Sequence, residues 1–259
     1  MMNYDDTTMI IPTFNEEKNI GHLIDLLLKI LPNVHIIVSD DGSKDRTQEI
    51  VCERPGKNII LLDRKRKPVH GLTISVMDAI LKCRTKFFVV IDADFQHPPD
   101  KIKEIVGKLR DRYEDKTADD NIIHLENTDI MPDNKEKVLG ADIVIGNRIK
   151  VKGDWGIDRV IISKTAYILG ALRLAAKGFP KYDLVSGFFG GKTYIVKEII
   201  LKHFYKFEFK GYKVLFDILK YLPNNARVDK VDYEFGIRKA GESKLSKKVV
   251  FYYFRSLFK

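Results

Sequence analysis

Asp92 and Asp94 stand two apart at the end of the apolar run from Phe87 to Ile91, and Gln96 follows at the same spacing. Two carboxylates and an amide are hard oxygen donors of the kind that hold Mg²⁺ or Mn²⁺ while leaving positions open for phosphate oxygens. Aspartates that simply turn the chain at a strand end are the other reading of a lone Asp-x-Asp. A second acidic string, Asp40-Asp-Gly-Ser43, follows the run His35 to Ser39. It can end a strand and cap the helix from Thr47, or hold the base or ribose of a nucleotide. Pro12 to Glu17 has the same two readings, since Asn15 suits an N-cap and Glu16 and Glu17 suit a first helical turn. None of these strings lies in a Gly-x-Gly-x-x-Gly or Gly-Lys-Thr loop, so neither a dinucleotide fold nor a P-loop is supported.

Cations form the second group. Arg148 closes the run Ala141 to Gly146, and Arg159 and Ser163, four apart, share a helix face from which a guanidinium and a hydroxyl can meet one anion. Arg238 and Lys244 flank Gly241, which makes a flexible cationic flap after the alternating strand pattern Val231, Tyr233, Phe235, Ile237. His70 and His97 read as structural. Cys52 and Cys83 are too few for a disulfide scaffold and make no metal knuckle, which fits a reducing compartment.

The elements that must position these residues are βαβ units. Apolar runs at Thr8 to Pro12, His35 to Ser39, Ile59 to Leu62 and Phe87 to Ile91 alternate with helical patterns at Ile20 to Leu31, Thr47 to Cys52 and Thr73 to Leu81. That rhythm predicts an α/β fold with a mainly parallel, Rossmann-like sheet carrying helices on both faces. Its ligand crevice lies at the carboxyl ends of the strands, where the three acidic strings converge. A helix from Pro99 to about Arg112 leads into residues 114–136, whose eight acidic residues against two lysines mark a surface insertion. One domain over 1–246 with a basic-aromatic tail at 247–259 completes the division. A formal charge of +9 on 259 residues favours an anionic partner.

Five strings now stand in one order: Pro12-Thr-Phe-Asn-Glu16, Asp40-Asp-Gly-Ser43, Asp92-Ala-Asp-Phe-Gln-His-Pro-Pro99, Ser186-Gly-Phe-Phe189 and Gly241-Glu-Ser-Lys-Leu245. Together they resemble the GT-A-fold inverting glycosyltransferases of the dolichyl-phosphate mannose synthase type, over about residues 8 to 248. The resemblance implies transfer of mannose from GDP-mannose to a dolichyl or other polyprenyl phosphate, the lipid-linked sugar used in protein glycosylation. It places Asp92, Asp94 and Gln96 around Mg²⁺ or Mn²⁺. It places Pro12, Phe14, Glu16, Val38, Asp40, Asp92, Ala93, Asp94, Arg238 and Lys244 on the donor nucleotide, with Phe14 where the family more often has Tyr. Arg148, Arg159, Ser163 and Lys164 carry over to the acceptor phosphate, with Thr165 where a Gly is common. Asp183 is a candidate for the sugar hydroxyls or for positioning. A phosphate monoester is already anionic near neutral pH, so in-line attack with inversion requires no strong base, and the chain offers no convincing catalytic His or Cys.

The lipid substrate calls for a membrane surface. Ser163 to Lys177 suits a helix lying at an interface, a core helix being the alternative, and Lys247 to Lys259 surrounds aromatic bulk with cations. Either can dock on anionic lipid, and the tail equally on a small membrane-spanning partner subunit. The start, Met1 to Thr8, is polar and acidic, and no stretch reaches roughly 18 uncharged apolar residues. A peripheral place on the cytoplasmic face of a membrane is therefore expected. Rival readings are the same chemistry with UDP-glucose, a silent regulatory relative, and a nucleic-acid-binding protein. The last lacks the aromatic and basic strand motifs such binding needs, so no nucleic-acid partner is expected.

Overall fold

The structure, a computed structural model, describes residues 2–54, 56–110, 140–151, 170–171, 173–174, 182–209, 211 and 213–236. The insertion 114–136, the segment with Arg159, Ser163 and Lys164, most of the stretch Ser163 to Lys177, and the flap and tail from 237 onward lie outside them.

Seven strands form one sheet: β1 (Thr7–Thr13), β2 (His35–Asp40), β3 (Ile59–Asp63), β4 (Phe87–Val90), β5 (Ile143–Val151), β6 (Phe189–Lys192) and β7 (Val228–Phe235). Their order is β3-β2-β1-β4-β6-β5-β7. Every pairing is parallel except the two that β6 makes, with β4 and with β5. The helices are α1 (Ile20–Ile30), α2 (Thr47–Cys52), α3 (Leu72–Lys82), α4 (Ile102–Arg110), α5 (Thr193–His203) and α6 (Val214–Tyr221). The expected helix from Pro99 is a single 3-10 turn, Pro99–Lys101, running into α4.

The period of two along each strand splits the core cleanly. Ile10, Ile37, Phe88 and Val90 point to the face covered by α3, α5 and α6. Met9, Ile11, Ile36, Val38 and Val89 point to the face covered by α1, α2 and α4. Covering both faces is what makes the runs continuous in apolar residues, and each such side chain stabilises the fold by about 1.5–3 kcal/mol. In α1 the buried residues Ile20, Leu23, Ile24 and Leu27 keep the i, i+3, i+4, i+7 stripe.

Strand β6, Phe-Gly-Gly-Lys, carries one β-forming residue, Phe189, followed by two glycines. A side chain on Gly190 would meet Ile105 Cγ2 at 2.8 Å and the backbone oxygen of Phe88 at 3.0 Å, and one on Gly191 would meet Ile143 Cδ1 at 2.7 Å. Close packing requires glycine there, and propensity gives way to it.

Two local readings are corrected. Asn15 is not an N-cap: it sits at φ 55° in the turn after β1, and Asn19 precedes α1. Asp40 does not cap α2 either, because Arg46 precedes that helix and Asp45 Oδ1 accepts the Thr47 N–H at 3.0 Å.

Candidate active site

The carboxyl ends of β1, β2 and β4 surround a crevice of about 220 Å³. β1 and its turn contribute Pro12, Thr13, Phe14 and Glu16, and β4 contributes Asp92, Ala93 and Asp94. The start of α3 adds Gly71, Leu72 and Ser75. From β2 the contributor is Asp41.

Val38 and Asp40, expected on the nucleotide, are wholly buried. Val38 belongs to the core beneath the crevice. Asp40 is a hub of the fold: Oδ2 accepts from the hydroxyls of Thr13 at 2.8 Å and Ser43 at 2.5 Å. Oδ1 accepts from the Ser43 N–H at 2.9 Å and from Gln48 Nε2 at 2.7 Å. A carboxylate so occupied organises the Asp-Gly-Ser turn, where Gly42 takes φ 88°. That turn is then sewn to the turn after β1. The Asn15 N–H donates to Ser43 Oγ at 2.8 Å, the Glu16 N–H to Thr47 Oγ1 at 2.8 Å, and the Glu17 N–H to Asp45 Oδ2 at 3.0 Å. Burial pushes the Asp45 carboxyl up, but donors from Thr47 and Glu17 outweigh it and hold the group below its ordinary value. One wall of the crevice is thus rigid before anything binds.

Arg64, the first residue past β3, carried no expectation and is, among the described residues, the largest fully buried side chain, 1% exposed. Its guanidinium pairs with Asp41 and with Asp78 at 2.9 Å, and donates to Ser75 Oγ and the Val69 carbonyl, each at 2.9 Å. Asp41 also accepts the Gly71 N–H at 2.7 Å and faces His70 Nδ1 at 3.0 Å. Arg64 therefore locks the acidic wall of β2 to the start of α3. The strand-end position that flags Asp40 and Asp92 was the available signal for it.

On β4 the chain turns sharply where Phe95 adopts φ 62°. The Gln96 N–H donates to Asp94 Oδ1 at 3.0 Å, and Gln96 Nε2 donates to the Gly236 carbonyl at 3.2 Å while the Gly236 N–H returns to the Gln96 carbonyl at 2.8 Å. With Nε2 on Gly236, Oε1 is the end of the amide turned away from it. No cluster of three or more His, Cys, Asp or Glu side chains suited to a metal occurs among the described residues. Asp92 and Asp94 line the crevice from one strand end, and two such carboxylates are oxygen donors that could hold a divalent cation whose shell phosphate oxygens complete.

Arg148, on β5, is not among the residues lining the crevice but lies close enough to Asp92 to feel its charge. Its Nε and Nη2 donate to Asp183 at 2.5 and 3.1 Å, a bidentate pair, and its guanidinium lies 5.4 Å from the centre of the Phe235 ring. Burial pushes the Arg148 group down; Asp183, with contributions from Tyr233 and Asp92, more than offsets this and raises it above its ordinary value. Asp183 thus positions Arg148. Of the other expected cations, Arg159, Lys164, Arg238 and Lys244, like Ser163, lie outside the described residues.

Residues 8–136 match the family described as Glycosyl transferase family 2. The chain is 34% identical, over 97% of its length, to the dolichol-phosphate mannosyltransferase of Pyrococcus furiosus, of which it spans 62%. Against the protein of the same name from Mycosarcoma maydis it is 28% identical over 96% of this chain and 77% of that one. A structure of mannosyl-3-phosphoglycerate synthase from Rubrobacter xylanophilus superposes with a TM-score of 0.61 at 16% identity, covering 97% of this chain and 72% of that one. One of glucosyl-3-phosphoglycerate synthase from Mycobacterium tuberculosis, holding Mn²⁺, uridine-diphosphate-glucose and glycerol 3-phosphate, gives 0.60 at 17% identity over 97% and 77%. The GT-A-type α/β fold expected from sequence is the fold observed. The acidic crevice lies at the ends of strands β1, β2 and β4, and Arg148 stands on β5 of the same sheet, beyond the matched residues. No helix among the described residues is long and apolar enough to cross a membrane.

Proposed function

We propose that the protein transfers mannose from GDP-mannose to dolichyl phosphate or another polyprenyl phosphate, with inversion, as a single domain over residues 1–246 with the surface insertion 114–136. The carrying observation is the nearness of opposite charge, two crevice carboxylates at the β4 end and, beside the crevice, the Arg148 guanidinium close enough to Asp92 to feel its charge. Carboxylates repel phosphate unless a cation intervenes, whereas a guanidinium receives it directly. The site therefore suits two phosphorylated substrates in different ways.

The nucleoside diphosphate lies in the crevice against Pro12, Phe14, Glu16, Ala93 and Asp41. Asp92 and Asp94, with Gln96, would hold Mg²⁺ or Mn²⁺, and the chemistry such a cation would supply is charge neutralisation at the leaving diphosphate. Arg148, held by Asp183, binds the acceptor phosphate, and Arg159, Ser163 and Lys164 add to that subsite. The acceptor oxygen is already anionic and is aligned opposite the leaving group, so positioning supplies most of the acceleration. Arg238 and Lys244 close over the donor diphosphate and exclude water that would hydrolyse it. The acceptor lipid stays in its bilayer, with the stretch Ser163 to Lys177 and the tail 247–259 on the membrane surface, on the cytoplasmic face, or with the tail on a small membrane-spanning partner. The names of the relatives support the substrate assignment.

Labelled GDP-mannose and UDP-glucose, each with a short polyprenyl phosphate in detergent and with Mn²⁺, Mg²⁺ or chelator, test this. Metal-dependent labelling from GDP-mannose, abolished in a folded Asp94→Ala variant, is the expected result. Labelling from UDP-glucose alone overturns the donor, and undiminished turnover in Asp94→Ala overturns the metal assignment.

A further inference from the structure

The geometry points to His97 as the residue that sets the orientation of Asp92, with Tyr233 fixing His97 in turn; this rests on the reading of Asp92 as a metal ligand given above. His97 is 3% exposed inside an aromatic box. It stacks on Phe188 with centroids 5.3 Å and planes 26° apart, while Tyr233 and Phe235 meet it edge-on at 5.7 and 5.3 Å. Packing alone would be served as well by phenylalanine. Both ring nitrogens, however, are engaged: Nδ1 lies 2.8 Å from the Tyr233 hydroxyl, and Nε2 lies 3.3 Å from Asp92 Oδ2.

A carboxylate only accepts, so Nε2 carries a proton toward Asp92, and Nδ1 meets the Tyr233 hydroxyl, which also bonds the Ser186 side chain. The result is a chain of hydrogen bonds from Tyr233 through His97 to Asp92 Oδ2, joining β7 to the end of β4. With Oδ2 held by His97, the other oxygen of Asp92 is presented in one orientation. The Asp92 side chain is 31% exposed at the crevice, so without the imidazole it would sample other rotamers. Room for the chain comes from Gly187, where a Cβ would lie 3.2 Å from Asp92 Oδ2 and 3.5 Å from His97 Nε2. The Ser-Gly-Phe-Phe string thus serves the carboxylate: its glycine admits the imidazole and its Phe188 supports it. Phe235 touches both His97 and the Arg148 guanidinium, so one box braces both charged sides of the site. Hydrogen-bond partners of metal ligands commonly contribute 10–100-fold to metal affinity.

The test is titration of Mn²⁺ into the purified protein with GDP present, read from the electron paramagnetic resonance signal of free Mn²⁺, with GDP-mannose kinetics and melting temperature in parallel. His97→Phe keeps a ring in the box but has no donor, and His97→Gln returns an amide donor toward Asp92. Mn²⁺ affinity falls about 10–100-fold in His97→Phe, recovers most of that in His97→Gln, and falls about 2–10-fold in Tyr233→Phe. Binding of GDP without metal stays unchanged throughout. Wild-type Mn²⁺ affinity in a folded His97→Phe overturns the inference, as does equal weakening in the Phe and Gln variants, which would mark a packing role. If His97→Phe does not fold, Tyr233→Phe, which leaves the imidazole in place, decides it: unchanged affinity overturns the chain. A wild-type protein that binds no Mn²⁺ with GDP overturns the metal reading of Asp92 itself, a result distinct from failure of the variants alone.

Discussion

Replacing Arg64 with methionine removes one buried cation and strands two carboxylates. Arg64 is 1% exposed, and Asp41 and Asp78, its partners, have side chains 14% and 23% exposed. Methionine fills most of the same space, so the loss is electrostatic rather than a cavity. Removing one member of a buried, hydrogen-bonded pair costs about 3–5 kcal/mol, because the partner charge stays buried without compensation. Ser75 Oγ and the Val69 carbonyl lose their donors as well. For a chain of this length, about 2–4 °C of melting temperature corresponds to each kcal/mol, so the midpoint should fall by about 6–20 °C. Differential scanning fluorimetry at pH 7 measures it, in 0.15 M and again in 1 M NaCl. Salt screens exposed pairs strongly and buried ones little, so the loss should persist at 1 M. Adding Asp41→Asn and Asp78→Asn should return part of it, since the uncompensated charges are then gone. A fall of less than 2 °C, or one that vanishes in 1 M salt, would refute the reasoning.

Two further outcomes follow from named groups. Arg148→Lys keeps the charge but loses the two-point pairing with Asp183, so the KM for polyprenyl phosphate should rise about tenfold or more while the KM for GDP-mannose holds; equal effects on both substrates would place Arg148 elsewhere. Burial pushes the Lys213 ammonium down from 10.5 to about 7, against the opposing pull of Asp217 and Glu208. The unfolded chain therefore holds a proton between pH 7 and 10.5 that the folded chain does not, and stability rises with pH across that window. The rise is up to about 1.4 kcal/mol per pH unit from this group. Urea unfolding at pH 7, 8 and 9 should show a shallower slope in Lys213→Met, and an unchanged slope would refute the assignment.

Sequence by itself determined the parallel core and where its chemistry lies. The runs at β1, β2 and β4 are apolar on both faces because helices cover both, and that signal is local to each strand. The polar residues just past those runs fall at one sheet end because parallel strands share a direction, so Pro12, Glu16, Asp92 and Asp94 were legible as neighbours without coordinates. Tertiary structure alone decided which acidic residue of β2 faces the crevice. Asp40 and Asp41 are adjacent and chemically alike, and only the donors around them, from Thr13, Ser43 and Gln48 for one and Arg64 for the other, separate a buried hub from a crevice wall. It decided β6 as well, since a Phe-Gly-Gly-Lys strand is dictated by Ile105, Phe88 and Ile143 pressing on its glycines rather than by its own propensity. It also decided the partners of His97 and Asp183. A histidine five residues beyond Asp92 and an aspartate 35 residues beyond Arg148 carry no mark of their partners in sequence. The sheet brings them together because contact with Tyr233 on β7 and Arg148 on β5 depends on strand order, which local patterning does not encode.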